Sequence, residues 1–386
     1  MTRLFARALG CLAFCGHVFV LACSSNPDAR YPRRPSQESA YIRDYFYAGG
    51  SWVDDGSGQG TRVLQGQMYV ERLSPPFGAT HPYPLVFIHG SGQTGTNFLN
   101  TPDGRKGWAS WLIDRGYEVY IVDQVARGRS LWFPGNETLA AFSAEIIEQL
   151  FTASRELGTW PQASLHTQWP GSGRIGDPIF DAYYASNVQF LTNNTFVQLI
   201  LKDAGAALLD IIGPSIIIAH SQAGWFPWLW ADARPNLVKG ILAIEPAGPP
   251  FEDWFDADGT PTRPYGLTDI PLSYNPPITD LAKPLTTAVY PSTHPNEYDC
   301  VLQAEPARQL VNMRHIPVLV ETGEASFHAQ YDRCVALFLR QAGVLKTEFV
   351  NLGDVGIRGN GHMQFLEKNN LEIIRWLEER WIGRIR

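Results

Sequence analysis

The sequence predicts an α/β fold, with a mostly parallel central sheet, helices on both faces and an inserted cap. Three observations predict it. Short β-rich runs alternate with helical stretches along the chain, the pattern of a parallel sheet covered on both sides. Polar residues with chemical potential stand just after those runs, at His89, Asp123, Ser221, Glu245 and Glu321. That is the sheet edge at which such folds bind ligands. Two long stretches, about 131–195 and about 247–312, carry Trp, Gly and Pro without a regular period. Connections of that length are usually lids or functional loops.

The elements follow in order. Residues 63–73 alternate apolar and polar positions, as a half-buried strand does. Pro75, Pro76 and Gly78 then make a turn. Residues 85–88 form a short apolar run closed by His89-Gly90, read as a buried strand. A helix over 107–115 and a strand over 118–123 follow. Within the first irregular stretch, one helix is expected over 139–155. Order returns with a helix over 195–212, a strand over 215–219, a helix over 222–233 and a strand over 240–245. After the second irregular stretch come a strand (316–320), a helix (331–341), a strand (347–352) and a closing helix (364–381).

The chain ahead of this pattern reads as a processing signal. Arg3 and Arg7 precede an apolar stretch over 8–22, too short to span a bilayer but suited to export. The expected organisation is a signal peptide over 1–23, a polar linker over 24–40 and a single α/β domain over 41–386, with the two irregular stretches as insertions. Val20-Leu21-Ala22-Cys23 also resembles a bacterial lipoprotein box, so a lipid anchor on Cys23 is the alternative to free secretion. Cys11 and Cys15 leave with the signal. The remaining Cys300 and Cys334 are expected to form one disulfide in an oxidising compartment, against the alternative of two free thiols. Asn136 and Asn193 begin Asn-x-Thr triplets, which are glycosylation acceptors in a eukaryotic host.

Composition narrows the function. With 386 residues and 45% hydrophobic side chains, the core needs no metal or disulfide to fold. The net charge is −7 and basic blocks are lacking, which argues against a nucleic-acid partner. No apolar run reaches the ~18 residues of a transmembrane helix. Neither metal-ligand spacing nor a complete phosphate-binding loop appears, so no cofactor is expected. The expected partner is a small ester or metabolite substrate; the oligomeric state is not legible.

The most informative segment is Ala219-His220-Ser221-Gln222-Ala223-Gly224, where an apolar strand runs into a serine with small neighbours before a helix. This is the layout of a nucleophile elbow, although Ala replaces the usual flanking Gly. Its alternative is an ordinary helix-capping serine. The Gln222 N–H, at the helix start, is placed to stabilise an oxyanion. The second donor is expected from the Gly-rich loop after residues 85–88, at Ser91 or Gly92. The base is expected on a loop near the chain end, which points to His362 in Gly359-Asn360-Gly361-His362-Met363. His315 and His328 compete but precede the last strand. His220 should point away from the serine, and His89 should support the oxyanion loop. For the acid, Glu245 ends an apolar run and needs a buried partner. Glu321 and Glu324 are the alternatives. Trp225, Phe226, Trp228 and Trp230, with Trp132, Trp160 and Trp169, offer aromatic groups for core packing or for a pocket.

At these residues the chain is similar to a divergent group of secreted α/β-hydrolase esterases of bacteria and fungi. The similar segments are His89-Gly90 with Thr94-Gly95; Thr101-Pro102-Asp103-Gly104-Arg105 with Gly107-Trp108; Asp123-Gln124 with Arg127-Gly128-Arg129-Ser130; His220-Ser221-Gln222; Glu245-Pro246; and Gly359-Asn360 with His362-Met363 and Asn369-Asn370-Leu371. They span residues 85–375. The resemblance implies the α/β-hydrolase fold and a triad of Ser221, Glu245 and His362. A bacterial member carries a vicinal cysteine pair where this chain has Ser91 and Gly92, so its substrate preference does not carry over. The expected function is hydrolysis of carboxylic esters through an acyl-enzyme. A tailoring hydrolase or cyclase of secondary metabolites is the alternative within the fold, and a non-catalytic binder is the alternative outside it.

Overall fold

The computed structural model describes residues 38–133, 137–253, 261–282 and 284–386. The expected signal peptide, nearly all of the linker, Cys23 and Asn136 lie outside the described residues. Eight strands, numbered here in chain order, form the central sheet. They are β1 (Ile42–Asp54), β2 (Arg62–Ser74), β3 (Leu85–Ile88), β4 (Val119–Asp123), β5 (Ser215–His220), β6 (Val238–Ile244), β7 (Val318–Thr322) and β8 (Thr347–Asn351). Their spatial order is β1-β2-β4-β3-β5-β6-β7-β8. β1 and β2 pair antiparallel, as do β2 and β4, and every other neighbouring pair is parallel. The fold is that of an α/β-hydrolase.

The middle strands are apolar at consecutive positions because both faces are covered. Val86, Ile88, Ile217 and Ala219 pack on one side with helices α2 (Asn194–Ile212), α3 (Trp225–Ala233) and α4 (Asp332–Gln341). Leu85, Phe87, Ile216 and Ile218 pack on the other with α1 (Trp108–Asp114) and α5 (Asn370–Arg380). Contact between α2 and α3 depends on Gly205, where a Cβ would lie 1.7 Å from the Trp230 ring. Trp230 Nε1 in turn donates to the Leu201 carbonyl at 2.8 Å.

Three sequence expectations need correction. β1 was not read as a strand. It is an edge strand with mostly exposed side chains, so it shows no core-facing alternation. The helix expected over 139–155 is broken into a strand pair, Leu139–Ala140 with Phe190–Leu191, then Ala144–Ile147, a wider turn over Glu148–Thr152, and Ser154–Leu157. Its apolar residues face two surfaces: Ile147 and Phe151 are core, while Phe142 and Phe151 also wall a cavity. The closing helix begins at Asn370 rather than 364, because residues 362–369 make the loop that carries His362.

The second irregular stretch contains a two-stranded ribbon, Thr287–Tyr290 with Cys300–Gln303. Cys300 is joined to Cys334 of α4 by a disulfide, as expected. No helix among the described residues is long and apolar enough to cross a membrane.

Candidate active site

Of the polar residues at the carboxyl ends of the strands, Ser221 lines a cavity of about 360 Å3 together with His220 and His362, while His89, Asp123, Glu245 and Glu321 lie buried behind its wall or away from it. Ser221 follows β5 directly and has φ 58°, a left-handed conformation that L residues seldom adopt. A short 3-10 turn, Ser221–Gly224, then leads into α3. The turn is tight enough that a Cβ on Gly90 would lie 2.9 Å from Ser221 Cβ. Glycine at 90 therefore lets the β3 loop approach the serine. The Ala247 N–H donates to the Ser221 carbonyl at 2.8 Å, tying the turn to the segment after β6.

His362 lies on the loop after β8 and lines the same cavity as Ser221. Its Nδ1 donates to Glu245 Oε2 at 2.5 Å. Glu245 follows β6 with φ 45° and is fully buried. Its Oε1 accepts the Gly323 N–H at 2.8 Å, and its Oε2 accepts the Ser326 hydroxyl at 2.7 Å. Burial pushes the Glu245 carboxyl up to about 7, opposed by nearby His328 and by the Ser326 and Gly323 bonds. Burial, and then His328, holds His362 well below the usual imidazole range, so its ring is a neutral base at physiological pH. Phe151 and Phe327 stand with ring centres 4.9 Å from it, at 30° and 40°.

The competing residues have other partners. Glu321 accepts from Gln364 Nε2 at 2.8 Å. Glu324 takes the Arg358 guanidinium and the Gly359 N–H. His315 lines a separate surface cleft with Lys239, Lys346 and Arg380. His220 donates from Nε2 to the His362 carbonyl at 3.0 Å, so it props the His362 loop and does not reach the serine through that nitrogen. His89 donates from Nδ1 to the Gly90 carbonyl at 2.9 Å and accepts the Gln124 N–H at Nε2. Burial, then Arg127, pushes it down to about 3, so it is a neutral brace.

Of the residues expected to hold an oxyanion, Ser91 and Gln222 line the cavity, as does Gly90, and Gly92 does not. The Gly92 carbonyl accepts from Val188, and a Cβ there would lie 2.9 Å from the Phe142 ring. Sequence reasoning missed the group that links these segments. Arg127 is fully buried and donates to the Gly90 carbonyl at 2.7 Å and to Gln222 Oε1 at 2.6 Å. Burial pushes it down to about 9, still charged at neutral pH. It makes no ion pair among the described residues.

A second missed group holds the His362 loop. Buried Glu367 accepts from Asn360 Nδ2 at 2.7 Å, from the Gly361 N–H at 3.0 Å and from His166 Nε2 at 2.7 Å. Ser154 bonds the other nitrogen of His166 at 2.7 Å. Arg105 binds the carbonyls of Leu366 and Glu367, both at 2.8 Å. The Thr101–Arg105 and Asn360–Asn370 segments thus meet in space.

The cavity is walled mainly by Phe142, Phe151, Phe190, Trp225, Phe327 and Tyr331. Of the tryptophans singled out in the sequence, only Trp225 lines it; Trp228 and Trp230 are wholly buried in the core. Among the described residues, one set of ligand atoms lies close enough to hold a metal ion. It comprises Glu245, His328 and His362, within 4.8 Å of one another. There the Glu245–His362 and His328–Asp332 bonds already engage both imidazole Nδ1 atoms.

A curated relative, "Probable secreted lipase phiG" from a fungal species (strain ATCC 74256), is 46% identical over 366 residues, covering 94% of this chain and 96% of that protein. The chain belongs to the family of that lipase. A solved structure, "The Atomic Resolution Structure of a Novel Bacterial Esterase", superposes with a TM-score of 0.59 at 21% identity. It covers 92% of this chain and 99% of its own, and supports the fold. No protein-family profile matches the sequence.

Proposed function

We propose that this member of the lipase family is a serine hydrolase of carboxylic esters. The observation that carries the reading is the 2.5 Å bond from His362 Nδ1 to buried Glu245, in a cavity that Ser221 enters from a strained turn. His362 Nε2 takes the Ser221 proton as Oγ attacks the ester carbonyl. The tetrahedral oxyanion is held by the amides of Gln222 and of Ser91, which lines the cavity where Gly92 does not. Collapse expels the alkoxide, which takes the proton from His362 and leaves as an alcohol. Water then attacks the acyl-enzyme, giving its proton to His362 and releasing acid and free Ser221. Glu245 fixes the tautomer and stabilises the imidazolium, and the faces of Phe151 and Phe327 assist.

The cavity's size and aromatic walls suit an ester with a bulky apolar portion. The lipase relative's name, the basic-then-apolar N-terminus and the Cys300–Cys334 disulfide all support export, with residues 1–23 as the signal. A lipid anchor on Cys23 is the alternative. Asn193, exposed at the start of α2, is a glycosylation acceptor in a eukaryotic host, as is Asn136. The test is Ser221→Ala. Ester hydrolysis should fall by several orders of magnitude in a protein that melts like wild type; undiminished activity would end the proposal.

A further inference from the structure

His328 is a second buried imidazole beside the catalytic one. Its ring is nearly parallel to that of His362, with 4.9 Å between centres and 7° between planes. His328 Nδ1 bonds Asp332 Oδ1 at 2.9 Å, and Asp332 Oδ2 accepts the Thr322 hydroxyl at 2.7 Å. Asp332 is the first residue of α4, where the helix terminus favours a carboxylate. Burial pushes its carboxyl the other way. With Nδ1 engaged, Nε2 is the free nitrogen. No protein group bonds it among the described residues, and His328 lines the cavity with Ser221 and His362.

The pocket around it is largely aromatic, and two ring nitrogens on its wall lack a protein partner among the described residues, His328 Nε2 and the buried His220 Nδ1. His328 stacks on His362 and lines the same cavity as Ser221, where a bound substrate would meet it. A water molecule alone would satisfy the nitrogen but would leave it no part in choosing a substrate. A hydroxyl on the substrate would displace that water and gain a fixed partner in an apolar site, where hydrogen bonds discriminate strongly.

We propose that His328, held by Asp332, is a specificity-determining residue whose Nε2 hydrogen-bonds a hydroxyl carried by the substrate close to its scissile ester. The preferred substrates are therefore hydroxy esters: a hydroxyacyl group or a monoester of a diol, with a bulky apolar remainder in the aromatic pocket. The inference rests on the serine-hydrolase reading of the same cavity.

The test uses matched esters: ethyl butyrate, its 2-, 3- and 4-hydroxy derivatives, and the butyrate monoester of ethane-1,2-diol. kcat/KM is measured for the full mature protein and for the double variant His328→Phe, Asp332→Asn. The second substitution avoids leaving a buried carboxylate without its donor. In wild type at least one hydroxylated ester should exceed its plain counterpart by about tenfold, the usual worth of one hydrogen bond. In the double variant that ratio should fall to near one. Absence of any preference in wild type, or a preference that survives in the variant, overturns the assignment. An equal loss on all esters also overturns it, because that would make His328 a water-positioning group. Fluorophosphonate labelling of both proteins separates the two readings. Labelled Ser221 with no hydroxyl discrimination refutes only the role of His328. Failure of wild-type labelling strikes the serine-hydrolase reading itself. If the double variant does not fold, His328→Gln, which keeps a polar side chain, should retain part of the preference; complete loss in folded Gln variant or none at all would overturn the proposal.

Discussion

Replacing Glu245 by Gln tests the triad at its least exposed member. The carboxylate takes three donors, the Gly323 N–H at 2.8 Å, the Ser326 hydroxyl at 2.7 Å and His362 Nδ1 at 2.5 Å. Glutamine keeps the shape but has one acceptor oxygen instead of two, so its amide NH2 must face a donor. If it faces His362, the imidazole must move its proton to Nε2, where the base has to be empty. In a Ser-His-Asp site that tautomer error costs roughly 10^4 in kcat, or about 5 kcal/mol of barrier. If the NH2 faces Gly323, the tautomer survives but the imidazolium loses its anion in a dry site. We therefore expect kcat to fall by about 10^3 to 10^4, with KM changed far less. Steady-state kinetics on a short aryl ester, with Tm beside them, measure this. A loss under about tenfold in a folded variant would refute the assignment of the acid, as would an equal loss in Glu321→Gln.

Four further outcomes follow from the geometry. Arg127→Met should lower kcat by about 10- to 100-fold at nearly constant KM, because it releases both segments carrying the oxyanion amides; unchanged kinetics would remove its positioning role. Glu321→Gln should leave activity within about threefold, since Glu321 bonds Gln364 and has an unpartnered oxygen; a large loss would bring it into the site. The His328 contribution to stability should fall as pH drops from about 6.5 to about 4, because this imidazole stays neutral in the fold down to about 4 while the unfolded chain takes up a proton from 6.5. The unfolded state then binds more protons, and the single-site effect is about 3 kcal/mol. Glu245, raised to about 7, acts in the opposite sense between about 7 and 4.5, so Glu245→Gln should steepen the acid loss seen by urea unfolding. A profile no steeper in Glu245→Gln than in wild type would contradict these opposed shifts. Reduction of Cys300–Cys334, 34 residues apart, should cost about 2–4 kcal/mol of stability; an unchanged Tm would show the link to be idle.

Much of the fold was legible because the middle strands are buried on both faces and read as apolar runs. The tight turn at Ser221 was legible because its backbone demands small neighbours, here Ala219, Ala223 and Gly224. Glu245 was legible through a physical argument, since a carboxylate ending an apolar run needs a partner, and His362 Nδ1 supplies one. The rest depends on distance. Arg127 stands in a segment shared with the family but with no local sign of a role, and only the fold brings it to Gln222, 95 residues later. The bond of His166 to Glu367 spans 201 residues. Nothing local to either residue announces it. β1 is not legible in the sequence because an exposed edge strand paired on one side needs no apolar face. The break in 139–155 comes from side chains divided between the core and the cavity, which a single helical period cannot express.

The central claim is that Ser221 is an activated nucleophile. Labelling the folded mature protein with a fluorophosphonate, followed by peptide mass spectrometry, tests it without any assumption about substrate. The account predicts one adduct per chain, on Ser221, formed faster as pH rises toward the range in which the His362–Glu245 pair is ready to accept a proton, and abolished in His362→Ala. A folded protein that takes no label, or takes it at another residue, would contradict the account.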